Sequence, residues 1–241
     1  MTTFDAVAQD YDVTVERSLA MFGREIDFFH RNKIHHLARV ARRADIDLQT
    51  AHVLDIGCGT GAADRMLRPM VSSLAGADVS SEMVAEAKAA GCDIDHRVYD
   101  GEVLPFDPGT FDLAFAFNVM HHVPPTEWAG FADQMMTAVR PGGLCVIIEH
   151  NPLNPVTRRS VRNCPFDAEA VLVRPAALRR VFMEAEIVAR WYILFAPFGD
   201  RRAFSAEQYL SWLPFGGQYL YAVRRPERAT GAAPRSMQSI R

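Results

Sequence analysis

Lysine is almost missing from this 241-residue chain: of its 26 basic residues only Lys33 and Lys88 are lysines, and the rest are arginine, a skew that fits a compositional bias of the genome. The formal charge is −3. With no net positive charge and no run of about five or six basic residues, nothing marks a nucleic-acid face. Cysteine is also scarce. Cys58, Cys92, Cys145 and Cys164 show no CxxC spacing, so neither a zinc ribbon nor a disulfide framework is indicated. No apolar run reaches the roughly 18 residues that span a bilayer. The opening MTTFDAVAQDYD is acidic where a targeting peptide would be basic. A cytoplasmic chain without a membrane span is expected. Internal repeats and low-complexity domains are missing too, and 49% apolar with 23% charged residues excludes a disordered, collagen-like or coiled-coil chain. The length corresponds to one core domain with attached segments.

What is there falls into three stretches. Residues 1–48 read as helical, with Ile26, Phe29, Leu37 and Val40 near helical spacing. From His52 the period changes. VLDIG, LAGADV, FDLAFAF and GLCVIIE are short apolar runs ending near Gly, Asp or Asn, with helix-like stretches such as SSEMVAEAKAAG between them. That is the βαβ rhythm of a parallel sheet covered on both faces. Ser80 or Ser81 can cap the helix carrying Met83 and Ala87, and Gly91 stands at its stop. After Glu149, HNPLNPVTRRSVRNCPFD has three prolines and three arginines in eighteen residues and no clear period, which predicts a loop within 151–175. RPAALRRVFMEAEI then reads as a helix, VARWYILFAPF as a strand, SAEQYLSWL as a short helix and GGQYLYAVRR as a last strand, before a frayed tail over 226–241.

The strongest motif is VLDIGCGTG, residues 53–61. Gly57, Gly59 and Gly61 let the backbone turn sharply and approach a ligand at a helix N-terminus. Gly57, Gly59 and Ala62 also satisfy the relaxed dinucleotide fingerprint, so a nicotinamide or flavin ligand has to be weighed. Asp55, immediately before the loop, opposes a pyrophosphate and favours an ammonium group. Asp78, seventeen residues after Gly61, stands where a carboxylate accepts both ribose hydroxyls. Arg140-Pro141-Gly142-Gly143 then precedes the fifth strand-like run.

In this order of motifs the chain resembles the class I S-adenosylmethionine-dependent methyltransferases from about residue 4 to 223. GADVSSEM looks like the family's ribose-binding turn, YDGEVLPF like its adenine-side segment, and FDLAFAFNVMHHV like its fourth strand. The resemblance implies a Rossmann-like, seven-stranded, mostly parallel α/β sheet with helices on both faces, an antiparallel last strand and an N-terminal helical lid over 1–48. It implies S-adenosyl-L-methionine as cofactor, S-adenosyl-L-homocysteine as product, and a cofactor-binding domain over 49–225. Carried over, Gly57, Cys58, Gly59 and Gly61 belong to the cofactor loop, with Asp55 at the amino end of the methionine part. Asp78 holds the ribose, Val79 and Met83 pack near the adenine, Asp100 accepts from its amino group, and Gly101 lies beside the ring. Phe117 and Asn118 border the methionyl end.

The same resemblance gathers candidate bases at the ends of the fourth and fifth strands: His121 and His122, Glu149 and His150. His150 leads because it opens the irregular segment. Glu149 can serve as a base or anchor the loop, and His122 matches a position where relatives often keep a structural histidine. Adjacent histidines lack the i, i+4 spacing of a helical metal site, so no metal is expected. His30, His35 and His36 read as a solvated or interfacial helix face. Tyr11, Asn151, Arg158 and Arg162 are candidate substrate residues, the arginines with Arg159 for a carboxylate or phosphate. Cys164 reads as a packed small residue. The expected activity is methyl transfer to O, N or C of a small molecule, with a homodimer allowed. The rival readings are an RNA or protein methyltransferase, and a protein that binds the cofactor without catalysis.

Overall fold

The computed structural model describes residues 26–195, 204 and 206–227. Helix α1 (Ile26–Arg43) buries Phe29, Lys33, His36, Leu37 and Val40, an i, i+3, i+4 stripe that turns one face of the helix toward the sheet. The chain continues through β1 (His52–Ile56), α2 (Ala62–Leu67), β2 (Ser73–Asp78), α3 (Ser81–Ala89), β3 (Asp95–Val98), β4 (Phe111–Phe117), α4 (Trp128–Ala138) and β5 (Val139–His150). It closes with α5 (Pro155–Asn163), α6 (Pro175–Val181), β6 (Glu186–Ile193) and β7 (Gln218–Arg224).

The seven strands form one sheet in the order β3-β2-β1-β4-β5-β7-β6. β1, β2, β3, β4 and β5 pair in parallel, and β7 runs antiparallel to both β5 and β6. Alternate residues divide between two cores. Leu54, Ile56, Ala114, Ala116 and Ile147 face one side with Phe131 and Met135 of α4. Val53, Leu113, Phe115, Leu144, Val146 and Ile148 face the other with Leu37 and Val40 of α1. Burial on both faces is why these strands read as continuous apolar runs. β1 and β4 are sequence-distant neighbours, so the crevice outside their carboxyl ends is the switch point where ligands bind in open α/β sheets.

Two local readings change. β3 gave no apolar signal because it is the sheet edge: of Asp95, His96, Arg97 and Val98 only His96 is buried. The segment after Glu149 is not a loop throughout. Asn154 accepts hydrogen bonds from Val156 N (2.9 Å) and Thr157 N (3.2 Å), and Pro155 occupies the first turn. An Asn-Pro pair that reads as a turn therefore starts a helix. SAEQYLSWL is helical at Ala206 and Glu207 and runs on through tight turns, with Tyr209 N on Ala206 O and Leu213 N on Leu210 O. Ser80 does cap α3, accepting from Met83 N at 3.2 Å. The tail beyond 227 lies outside the described residues.

Candidate active site

β1 delivers the chain to a loop whose three glycines all have positive φ: 81° at Gly57, 53° at Gly59 and 71° at Gly61. They serve different ends. A Cβ on Gly57 would lie 2.4 Å from Val119 Cγ2, so the loop is pressed against the segment after β4. On Gly59 it would meet nothing within 4 Å, so this backbone faces open space. On Gly61 it would meet Ala87 and His96, so this glycine permits close packing and does not line the crevice.

Asp78, at the end of β2, fixes the loop from the far side. Its Oδ2 accepts from Gly59 N at 2.8 Å and its Oδ1 from Ser80 N at 2.9 Å. It lines a cleft of about 880 Å³ together with Gly57, Val79, Met83, Asp100, Gly101 and Asn118. Asp100 accepts from Glu102 N and Val103 N, both at 2.9 Å, and these backbone donors hold its carboxyl below the usual range.

A smaller cavity of about 180 Å³ continues past Gly57, Gly59, Phe117, Asn118 and His122, which border both spaces. At its floor Asp55 is 3% exposed. Burial raises its carboxyl well above the ordinary range, the neighbouring Asp64 and Asp78 raise it further, and Lys33 opposes them. Asp55 Oδ1 is buried with no hydrogen-bond partner, an acceptor that a bound ammonium group would satisfy. Lys33 comes from α1 into this wall, its Nζ 5.7 Å from the centre of the Phe117 ring. Burial lowers its pKa to about 8 against the pull of Glu149 and Asp55.

Residues 53–143 match the family model described as a methyltransferase domain. The chain is an S-adenosylmethionine-dependent methyltransferase. It is similar to a ubiquinone biosynthesis O-methyltransferase of Rhizobium rhizogenes, 29% identical over 185 residues that cover 69% of this chain and 72% of the relative. Among solved structures it is similar to a chain in the complex of the Haloferax volcanii Trm112 methyltransferase activator with a putative methyltransferase. The TM-score is 0.65 at 21% identity, covering 94% of this chain and 99% of that one. It is also similar to the geranyl diphosphate C-methyltransferase of Streptomyces coelicolor, solved with S-adenosyl-L-homocysteine. There the TM-score is 0.56 at 18% identity, over 78% of this chain and 77% of that one.

The cleft of this methyltransferase fits its cofactor. The open backbone at Gly59, the unpartnered Asp55 Oδ1 and the carboxylates of Asp78 and Asp100 lie along one continuous space. Cys58 lines the smaller cavity, its thiol kept protonated by burial and three nearby carboxylates.

Beyond Asn118 the smaller cavity gathers His121, His122, His150 and Asp167. Glu149 is fully buried and does not itself line the space. Its Oε2 holds His121 Nδ1 at 2.7 Å and its Oε1 accepts from His121 N at 3.3 Å. Burial disfavours both charges, but the pair outweighs it: His121 rises to about 9 and Glu149 falls. Burial and the adjacent His121 lower His150 to about 3 and His122 to about 4.

The remaining candidates stand elsewhere. Asn151 is fully buried, and its Nδ2 donates to Pro214 O (3.0 Å) and Gly216 O (2.7 Å), so its amide braces the turn before β7. Arg158, Arg159 and Arg162 are exposed. Thr157 and Val161 set the buried face of α5, and the cavity wall there is Ser160, Val161 and Cys164. Tyr11 lies outside the described residues. His36 is not a solvated histidine: it is fully buried with its Nε2 3.0 Å from Glu207 Oε2. Sequence reasoning missed Lys33, His30 and Asp167 as cavity residues. The helical stripe of α1 could have flagged the first two. Asp167 sits on a short 3-10 turn (Pro165–Asp167) that no linear pattern announces.

Proposed function

We propose that this methyltransferase transfers the cofactor's methyl group to a hydroxyl oxygen of a small molecule in the cytoplasm. The observation that carries the reading is the histidine cluster in the smaller cavity, which adjoins the methionyl end of the cofactor cleft across Gly57 and Asn118. The relatives named as O-methyltransferases agree with it.

In this reading Asp78 receives the ribose hydroxyls and Asp100 the adenine amino group, with Val79, Met83 and Gly101 about the ring. Asp55 takes the ammonium and Lys33 the carboxylate of the methionine part, each charge meeting its opposite. The sulfonium is the activated donor: its S–CH3 bond breaks as the O–CH3 bond forms, and neutral S-adenosylhomocysteine leaves. Holding donor and acceptor in line supplies roughly 7 to 11 kcal/mol in favourable cases. The acceptor's proton has to go, and His150 and His122 are the groups we assign to that end, with Glu149 positioning them through His121. A removed base typically costs about 100-fold to 10,000-fold. The helical lid over 1–48 belongs to the same proposal, represented among the described residues by α1, whose His30 and Lys33 line the smaller cavity. So does a homodimer, for which the exposed Tyr209, Trp212 and Phe215 offer an apolar surface.

Calorimetry with S-adenosylmethionine and with NADH, followed by assay of S-adenosylhomocysteine release from a panel of phenols and catechols, tests the reading. Binding of the sulfonium compound alone and turnover of a phenol are expected. His150→Ala should lower kcat at unchanged cofactor affinity. Binding of NADH instead, or turnover only with RNA or protein, would overturn it.

A further inference from the structure

The structure assigns a divalent-cation site to His121, His150 and Asp167 at the inner end of the smaller cavity. One ligand atom of each of the three lies within 4.8 Å of the other two. They come from three separate places: the turn after β4, the last residue of β5, and the 3-10 turn after α5. The site's use in catalysis rests on the methyl-transfer reading above, but its existence does not.

The separations suit a shared ion better than direct bonds. His121 Nε2 stands 3.4 Å from Asp167 Oδ1, and His122 Nε2 stands 3.5 Å from the same oxygen. A charge-assisted N–H to carboxylate bond closes to about 2.7–2.9 Å. Two ligands of one tetrahedral ion, each at about 2.0–2.1 Å, are separated by about 3.3 Å. The His121–Asp167 contact is therefore a poor hydrogen bond and a good ligand-to-ligand edge.

The ring of His121 is also oriented as a ligand would be. Its Nδ1 is held by the fully buried Glu149 carboxylate at 2.7 Å, which directs Nε2 away from the sheet and toward Asp167. A carboxylate behind a histidine in this way fixes the ring and raises its basicity toward a metal. Charge agrees as well. Asp167 and Glu149 supply two negative charges, and Lys33 is the one lysine or arginine lining this cavity among the described residues.

A second group of possible ligands, Cys58, Asp64 and His96, has a different character. All three are buried, Asp64 Oδ2 is already 2.9 Å from His96 Nε2, and the thiol is held protonated. Of the three only Cys58 reaches the cavity, while Asp64 and His96 are already engaged with each other. The His121 group has three protein ligands and faces a cavity, the pattern of a site that keeps a place for substrate. Imidazole with carboxylate suits zinc, manganese, iron or cobalt in the divalent state.

The ion would bind the acceptor's hydroxyl oxygen at the open position. Coordination lowers the pKa of bound water to about 7, and that of a phenol or alcohol moves in the same direction. With His150 engaged as a ligand, the O–H bond breaks with its proton passing to His122, the other base assigned above. The metal-bound oxygen then forms the O–CH3 bond as the S–CH3 bond breaks, so no oxidant or reductant is needed.

The test uses the full chain, stripped with chelator and titrated with Co2+ in the absence of cofactor. Visible absorption and calorimetry follow the metal, and S-adenosylmethionine affinity is measured on the same samples. One Co2+ per chain is expected, with the visible bands of a four- or five-coordinate ion. Asp167→Asn and His150→Gln should each abolish those bands, and Glu149→Gln should weaken binding by about 10- to 100-fold. Asp167 sits on a surface turn, so its variant serves even where the β5 variant fails to fold. No Co2+ binding while the cofactor still binds overturns the cation site alone. Co2+ binding without cofactor binding overturns the methyl-transfer reading alone. A thiolate charge-transfer band that Cys58→Ser removes would put the ion on the other cluster and overturn the assignment.

Discussion

Glu207 holds α1 against the sheet, and its removal gives a prediction with a definite size. Its carboxylate is 2% exposed and accepts four hydrogen bonds: from Asn32 Nδ2 at 3.1 Å, His36 Nε2 at 3.0 Å, Leu194 N at 3.0 Å and Phe195 N at 2.9 Å. Glu207→Ala leaves these donors buried without their acceptor. Breaking such an arrangement from one side costs about 3–5 kcal/mol. At about 2–4 °C per kcal/mol for a chain of this length, the melting temperature should fall by roughly 6–20 °C. Glu207→Gln keeps one oxygen but turns an amide donor toward donors, and should cost about 1–3 kcal/mol. The dependence on pH has a definite sign. The folded carboxyl is held below its ordinary value because burial, which would raise it, is outweighed by the bonds from His36 and Asn32. Its stabilisation is therefore complete above the unfolded value of about 4.3 and fades as pH falls through the lower folded value. Urea unfolding of the wild type and Glu207→Gln should show a gap at pH 7 that closes in acid. Because His30 and Lys33 reach the smaller cavity from α1, the same variants should also weaken cofactor binding. A Glu207→Ala protein within 1 kcal/mol of wild type, or a gap that widens in acid, would refute the reasoning.

Other expectations concern the cleft and the core. Asp78→Ala removes the acceptor for Gly59 N and Ser80 N and the proposed partner of the ribose; at about 1.5–3 kcal/mol for a charged hydrogen bond, calorimetry should show S-adenosylmethionine affinity falling roughly 10- to 150-fold. Gly57→Ala adds left-handed strain of about 1–2 kcal/mol to a contact 2.4 Å from Val119. Gly59→Ala, with nothing nearby, bears the strain alone, so thermal unfolding should rank Gly57→Ala as the less stable. Tyr219, fully buried, donates from its hydroxyl to Val173 O at 2.8 Å, and Tyr219→Phe should cost about 1–3 kcal/mol in denaturant unfolding.

How much of this was readable in the sequence depended on whether the signal was local. VLDIGCGTG and GADVS are contiguous and carry their own geometry, so the strand, the glycine turn and Asp78 could be located from residue order alone. FDLAFAF becomes β4 residue for residue, because a strand buried on both faces over most of its length reads as a nearly continuous apolar run. β3 escaped because an edge strand can be polar, and α5 escaped because Asn-Pro serves turns and helix starts equally well. The histidine cluster was the least readable. His121, His150 and Asp167 meet only through the pairing of β4 with β5 and the return of the chain after α5, and no spacing rule spans such a path. The arginines of α5 looked functional from their density, but the Thr157–Val161 stripe decides which face is buried and turns them outward.

The scarcity of lysine acquires a practical meaning once the two lysines are located. Lys88 is exposed on α3, whereas Lys33 is 7% exposed beneath α1. An amine-reactive label applied to the folded chain therefore has one accessible side-chain target. A second side-chain adduct forms only as fast as Lys33 is uncovered, and burial lowers its pKa to about 8. The mass of the labelled chain is thus a clock for the uncovering of the α1 face that lines the smaller cavity, written into the protein with no engineered probe.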